Sequence, residues 1–182
     1  MIHHFESVDS TNKQAMQAAS SGIAEGAIFT ADEQTAGRGR GDHSWHSPAG
    51  QGLYVSIVLR PQLAPNDVLW LSLIAGLAVH AAIKEVTTIA VDLRWPNDIM
   101  LADKKLGGIL TELGTESGRI IHAVVGIGLN INQPQFPAEL AAFATSLRIE
   151  TDRDWPRDEI LTQQWHGEWP GVGVSVTVSS SA

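Results

Sequence analysis

Cysteine is absent from this sequence, so disulfides, thiolate nucleophiles and cysteine-built zinc sites are excluded by inventory. Positive charge is scarce as well. Twelve Lys and Arg stand against twenty Asp and Glu, a formal net charge of −8. A general nucleic-acid binder needs basic surface to neutralise phosphates, so any anion site here has to be local. The start of the chain, Met1-Ile2-His3-His4-Phe5-Glu6, lacks a basic stretch followed by an apolar one. No apolar run is read as long enough to cross a bilayer, and the expectation is a cytoplasmic protein with no membrane partner. The seven histidines show no metal-ligand spacing, which leaves metal ligands unassigned. There is no internal repeat of useful period. What remains is ordinary globular material: 43% hydrophobic and 18% charged residues exclude wholesale disorder, and 182 residues suffice for one domain with a core.

The patterning predicts a mixed α/β chain. Ser10 or Thr11 is a plausible N-cap for a short helix that stops at Ser20-Ser21-Gly22. Residues 27–31 read as a buried strand, and 34–52 as a long glycine-rich loop, a length that in compact domains usually serves function. A β-branched alternating strand follows over 53–59, and the strongest helix spans 65–86. Strands over 91–94 and 99–101 flank the turn Trp95-Pro96-Asn97-Asp98, with Asp103-Lys104-Lys105 as a tight connection. Residues 106–113 and 120–131 read as paired strands around Thr115-Glu116-Ser117-Gly118, and a last helix runs from Glu159 to Trp165. Short turns between neighbouring strands favour an α+β, largely antiparallel sheet with packed helices over a βαβ repeat.

Gln34-Thr35-Ala36-Gly37-Arg38-Gly39-Arg40-Gly41-Asp42-His43-Ser44-Trp45 is the most informative stretch. Glycines let backbone N–H groups approach an anion, the guanidiniums of Arg38 and Arg40 can fork onto phosphate or carboxylate, and Trp45 offers a face on which a base can stack. Taken alone, the pattern is equally compatible with a flexible Arg-Gly surface loop or a nucleic-acid-binding RGG-like patch.

This loop resembles the signature loop of biotin–protein ligases. Four more segments resemble that family in order and spacing: Asp9-Ser10-Thr11-Asn12, Trp95-Pro96-Asn97-Asp98, Lys104-Lys105-Leu106-Gly107-Gly108-Ile109-Leu110, and Gly126-Ile127-Gly128-Leu129-Asn130-Ile131-Asn132. The agreement spans residues 5–132. It implies a class II aminoacyl-tRNA synthetase-like biotin–lipoate ligase core that uses ATP to make biotinyl-AMP. The biotin then passes to a lysine of the biotin carboxyl carrier protein of acetyl-CoA carboxylase.

The resemblance also implies residue roles. Ser10, Thr11, Asn12, Gln34, Gly37, Arg38 and Lys105 would bind biotin; a ureido head with two donors and one acceptor needs each hydrogen bond returned. For Ser10 and Thr11 helix capping is the alternative use. Arg38, Arg40, Trp45, Asn97, Lys105 and Asn130 would bind ATP or the adenylate, with Gly126 and Gly128 leaving room for the nucleotide. Lys105, Arg40 and Asp98 would carry the chemistry, because positioned cations stabilise charge at a reacting phosphate and a carboxylate can orient or deprotonate the acceptor amine. Arg94 can add charge to the same site. Magnesium is expected to accompany ATP. Asp42 puts an acidic group where many members carry glycine or a basic residue.

The resemblance assigns residues 1–166 to the catalytic domain and leaves 167–182 as an atypical tail where relatives usually carry a small β-barrel domain. Nine residues ahead of Ser10 carry the expectation of no DNA-binding helix-turn-helix domain. Both monomers and homodimers occur among relatives, and the sequence favours neither. A lipoate–protein ligase and a non-catalytic module that holds biotin or nucleotide are the rival readings.

Overall fold

The computed structural model describes residues 1–41 and 43–164, together with the paired strands Glu168–Trp169 and Val174–Ser175. Asp42, Trp165 and the rest of the expected tail lie outside the described residues. The chain begins with β1 (Ile2–Val8), α1 (Thr11–Ser20), β2 (Ile28–Gln34) and β3 (Gly52–Leu59). A 3-10 turn at Pro65–Asp67 leads into α2 (Leu69–Thr87). Then come β4 (Asp92–Arg94), β5 (Asp98–Leu101), β6 (Lys104–Glu116) and β7 (Arg119–Asn130), and three short helices, α3 (Ala138–Ala141), α4 (Leu147–Thr151) and α5 (Arg157–Gln164).

Seven strands form one sheet in the order β1-β2-β3-β7-β6-β5-β4. Only β1 and β2 pair in parallel, joined by the α1 crossover; the other neighbours are antiparallel. The expected mixed, largely antiparallel α/β architecture therefore holds. β1 was not foreseen. Its polar residues His3, His4, Glu6 and Ser7 sit on an edge strand with a mostly exposed pattern, which mutes the alternation a sequence reading depends on.

The two faces of the sheet differ in what covers them. One face packs under α2, where Leu71, Ala75, Val79 and Ile83 meet Val55, Ile57, Val125, Ile127 and Leu129 in the main core. Contrary to the sequence reading, α2 is long and apolar enough to span a bilayer by length and composition. The fold uses its inner face as core, although Leu69, Trp70 and Leu77 remain exposed. The other face lies under α1, which approaches closely through Ala15 and Ala19 onto Phe29, Val58 and Val124. That second core is small, and toward one end of α1 it gives way to polar residues and glycines.

Two hairpins differ from expectation by a residue or two. The β6–β7 connection is only Ser117 and Gly118, both at positive φ (50° and 77°), the pair of left-handed residues that a two-residue turn matching strand twist requires. The β5–β6 connection is Ala102 and Asp103, also at positive φ. Lys104 and Lys105 therefore begin β6 and are not part of the turn.

Candidate active site

α1 starts where the sheet is most open. Ser10 caps it, its Oγ accepting from Lys13 N at 3.5 Å. Just before the cap, the Asp9 carboxylate accepts from Lys13 Nζ (2.6 Å), Gln14 Nε2 (2.9 Å) and Ser10 N (2.7 Å). Those bonds hold its pKa down at about 2, Lys13 contributing most, then Gln14 and the Ser10 amide. Asp9 is thus a fixed anion that sets the entry into the helix. Ser10, Thr11 and Asn12 are all buried, at the wall of a cleft of about 450 Å³, partly open to solvent.

The cleft floor exists because the sheet lacks side chains there. Gly126 of β7 lies between Ser56 and Leu110, and Gly128 pairs with Gly108 and with Tyr54. Gly126 and Gly128, expected to leave room for nucleotide, line the cleft, and Asn12 and Trp45 stand against them. A Cβ on Gly126 would sit 1.9 Å from Asn12 Oδ1, and one on Gly128 would sit 2.4 Å from Trp45 Nε1. These glycines seat Asn12 and Trp45.

The side chains expected at the vitamin end are joined to each other. Gln34 Oε1 accepts from Thr11 N (2.9 Å) and Thr11 Oγ1 (3.1 Å), and Gln34 Nε2 donates to Ser47 Oγ (2.9 Å). Asn12 lines the same cleft. Its two N–H bonds go to Leu110 O (3.2 Å) and Glu112 Oε2 (3.0 Å), while its oxygen accepts from Ser56 Oγ at 2.5 Å. The amide holds the protein together here and has no donor left for a ligand.

Residues 37–41 and 43–45 approach each other as the two arms of a narrow hairpin. Gly37 O accepts from Trp45 N (2.9 Å), Gly39 N donates to His43 O (2.8 Å), and Arg38 and Ser44 form a bridge. Gly37 lies under Trp45 O and Ser47 Oγ, where a Cβ would clash with both. Arg40 lines the cleft beside Trp45 and Lys105. Arg38 does not hold its donors open for phosphate: it forks onto Glu112, Nη2 to Oε1 at 2.7 Å and Nη1 to Oε2 at 3.2 Å. Placing a carboxylate there satisfies the guanidinium inside the protein.

Lys105 stands at the centre. Its Nζ pairs with Asp98 Oδ1 at 2.6 Å and lies 5.6 Å from the Trp45 ring centroid. The backbone of Lys105 is clamped by residues 143–145, with its N donating to Phe143 O (2.7 Å) and its O accepting from Thr145 N (3.0 Å). The clamp fixes where the side chain starts, and the Asp98 pair holds its ammonium. Asn97 is at the cleft wall, donating to Ile109 O at 3.1 Å. Arg94 is exposed and lines a separate cleft with Trp95 and Pro96. Asn130, expected at the nucleotide end, is buried and lines the pocket beyond Lys105, with its amide engaged inside the protein: Nδ2 donates to Thr145 O (3.0 Å) and Oδ1 accepts from Gln133 Nε2 (3.2 Å). It pins the 144–146 segment to the sheet.

Beyond Lys105 opens a second pocket, lined by Trp45, His46, Phe136, Leu140 and Phe143. Trp45 and Lys105 line both pockets and so form the partition between them. The Trp45 indole N–H is buried with no acceptor among the described residues. Sequence reasoning missed the apolar wall of this pocket, along with Ser56 and Glu112. Glu112 alone left a signal: counting by twos along β6 puts it on the face of Gly108 and Leu110. No group of three or more metal-capable side chains comes together among the described residues, and the two nearest carboxylates, Asp98 and Glu112, are paired with Lys105 and Arg38.

The site is thus a polar crevice, a partition bearing a lysine and an apolar slot. The family profile described as Biotin/lipoate A/B protein ligase family matches residues 4–130. The bifunctional ligase/repressor BirA of Bacillus subtilis is 43% identical over 149 residues, covering 81% of this chain and 46% of that protein. The biotin–[acetyl-CoA-carboxylase] ligase of Mycobacterium tuberculosis is 36% identical over 143 residues, 76% of this chain and 51% of its own. Among solved structures, the biotin protein ligase of Aquifex aeolicus in complex with biotin and ATP superposes with a TM-score of 0.78 at 37% identity, covering 90% of this chain and 66% of that one. The Leishmania major enzyme in complex with biotinyl-5-AMP gives 0.69 at 32%, with 90% and 71% covered. The chain spans about half the length of the curated relatives it matches. With sequence, sheet order and cleft in accord, the chain belongs to the biotin/lipoate A/B protein ligase family.

Proposed function

We propose that this chain is a biotin–protein ligase that activates biotin with ATP and transfers it to a carrier lysine. The observation that carries the reading is the placement of Lys105. Its anchored ammonium lies on the partition between a polar cleft walled by Ser10, Thr11 and Gln34 and an apolar pocket walled by Phe136, Leu140 and Phe143. The ureido ring of biotin occupies the first, adenine the second, and the reacting carboxylate and α-phosphate meet at the lysine.

In the first step a biotin carboxylate oxygen attacks the α-phosphorus of ATP, and pyrophosphate leaves with the electrons of the broken P–O bond. Charge builds on phosphate oxygens, where Lys105 and Arg40 are the cations in reach. In the second step the neutral ε-amine of a lysine on a biotin carboxyl carrier protein attacks the acyl carbon and AMP departs. Asp98, beside Lys105, is the carboxylate available to orient that amine or take its proton. Closure of loop 37–45 keeps water from the mixed anhydride. Magnesium would travel on the ATP phosphates, since Mg²⁺ needs few protein ligands when phosphates supply the rest. The reading places the reaction in the cytoplasm, where ATP is supplied.

ATP–pyrophosphate exchange with biotin against lipoate tests the reading. Exchange dependent on biotin is the expected result. Preference for lipoate would make the chain a lipoate–protein ligase, and biotin binding without exchange would make it a non-catalytic module.

A further inference from the structure

The arginine loop is tied at both of its ends to a single chain of polar side chains beneath the cleft. From Arg38 the chain runs to Glu112, whose Oε2 also accepts from Asn12. It continues to Ser56, which lies 2.8 Å from Thr11 Oγ1, then through Thr11 to Gln34 and Ser47. Ser47 Oγ donates to Trp45 O at 3.2 Å, so the chain returns to the loop it left. Glu112 is its one carboxylate and the only member that joins the loop to both β6 and α1.

We propose that Glu112 is a positioning residue: it holds Arg38 as a strut that shapes the roof of the vitamin cleft before any ligand arrives. The two arginines of the loop then divide the work. A guanidinium forked onto a carboxylate has its best-placed donors occupied, and the negative charge just beyond it opposes a phosphate. Arg40, which lines the same cleft as Lys105, is left to meet the anion. The polar chain also explains why the cleft floor is built of short hydroxyls and amides: Asn12 is spent on Glu112, and through Ser56 and Thr11 the strut is mechanically continuous with the residues that face the ureido ring. Arg38 is about half exposed and Glu112 about one-fifth exposed, so water screens the pair and moderate effects are expected.

The kinetic consequence rests on the proposed ligase activity, whereas the structural consequence does not, and the test reads both. In the full chain, hydrogen exchange of the backbone amides of residues 37–46 is followed without ligand for the wild type, Glu112→Ala, Arg38→Ala and the double variant. Biotin KM and kcat are measured alongside. Either single change should speed loop exchange by about fivefold, the scale of a partly exposed ion pair. Biotin KM should rise by a similar factor while kcat stays within about twofold. The double variant should match the singles, because both remove the same strut. Glu112→Gln, which keeps an acceptor for Asn12 but loses the charge, should fall between wild type and Glu112→Ala, and it carries the test should the alanine variant fail to fold. Unchanged loop exchange in Glu112→Gln and Glu112→Ala, or effects that multiply in the double variant, would overturn the proposal. A chain with no biotin turnover but the expected exchange pattern would remove the ligase reading and leave the strut standing.

Discussion

Gly128→Ala is the perturbation that most sharply links packing to substrate binding. A Cβ at this position would lie 2.4 Å from Trp45 Nε1, 2.7 Å from Cε2 and 3.1 Å from Cδ1. Carbon–nitrogen contacts relax near ~3.5 Å, so the indole has to retreat by about 1 Å. Any such retreat changes the placement of the ring relative to Lys105, whose ammonium lies 5.6 Å from the ring centroid. Overpacking of this kind costs about 1–3 kcal/mol. The loop that carries Trp45 is held by its own backbone bonds, by the partly exposed Arg38–Glu112 pair and by Ser47 Oγ on Trp45 O, whereas β7 is paired along both edges. The loop yields and the sheet does not. Melting temperature should therefore fall by only a few degrees, about 2–4 °C per kcal/mol for a chain of this size. The partition beside the apolar pocket, by contrast, is displaced, and loss of a stacked aromatic is worth about 1–3 kcal/mol per base, roughly tenfold to a hundredfold in KM for ATP. Initial rates of pyrophosphate exchange across ATP concentrations at saturating biotin give that number. An unchanged ATP KM in a folded variant would refute the placement of Trp45 against the nucleotide.

Lys105→Ala should leave the circular dichroism spectrum intact and reduce adenylate formation by about a hundredfold or more, the scale of removing one group that stabilises transition-state charge; full pyrophosphate release would contradict that role. Arg40→Ala should shorten the lifetime of biotinyl-AMP on the protein more than it weakens biotin binding, which quench-flow and calorimetry separate. His122 is buried beside Gly114 with neither ring nitrogen bonded among the described residues. Burial first, and then the Arg60 guanidinium, push its pKa below the ordinary 6.5. The folded state thus favours neutral imidazole and the unfolded chain binds the proton more readily, so this contribution to stability is present above the ordinary pKa and lost as pH falls below it. Melting temperature should drop more steeply from pH 7 to pH 5 in the wild type than in His122→Leu, and parallel curves would count against it.

The long elements were legible because each satisfied one strong local rule. Ser10 caps α1 as its position before a helical run implied, and β3, β6 and β7 follow from β-branched runs bounded by turns. α3 and α4, of four and five residues, are too short to show a period, and β1 is an edge strand with polar residues. The site divides in the same way. Ser10, Thr11, Gln34, Arg40, Asp98 and Lys105 could be named from ordered motifs, and the fold brings them around one cleft and its rim. The intramolecular partners of Asn12, Asn130, Arg38, Gly126 and Gly128 could not be read, because each is distant in sequence: Glu112 for Asn12 and Arg38, Thr145 for Asn130, and Asn12 and Trp45 for the two glycines. A motif identifies a residue that matters, but whether its polar atoms face a ligand or a neighbour is decided by tertiary packing.

A crystal structure of the chain with a stable biotinyl-adenylate analogue is the most direct measurement. The account expects the ureido ring against Ser10, Thr11 and Gln34, the acyl-phosphate linkage within hydrogen-bonding reach of Lys105 Nζ with Arg40 over the phosphate, and adenine between Trp45 and Phe143. Density for the analogue outside this cleft, or an acyl-phosphate remote from Lys105, would contradict it.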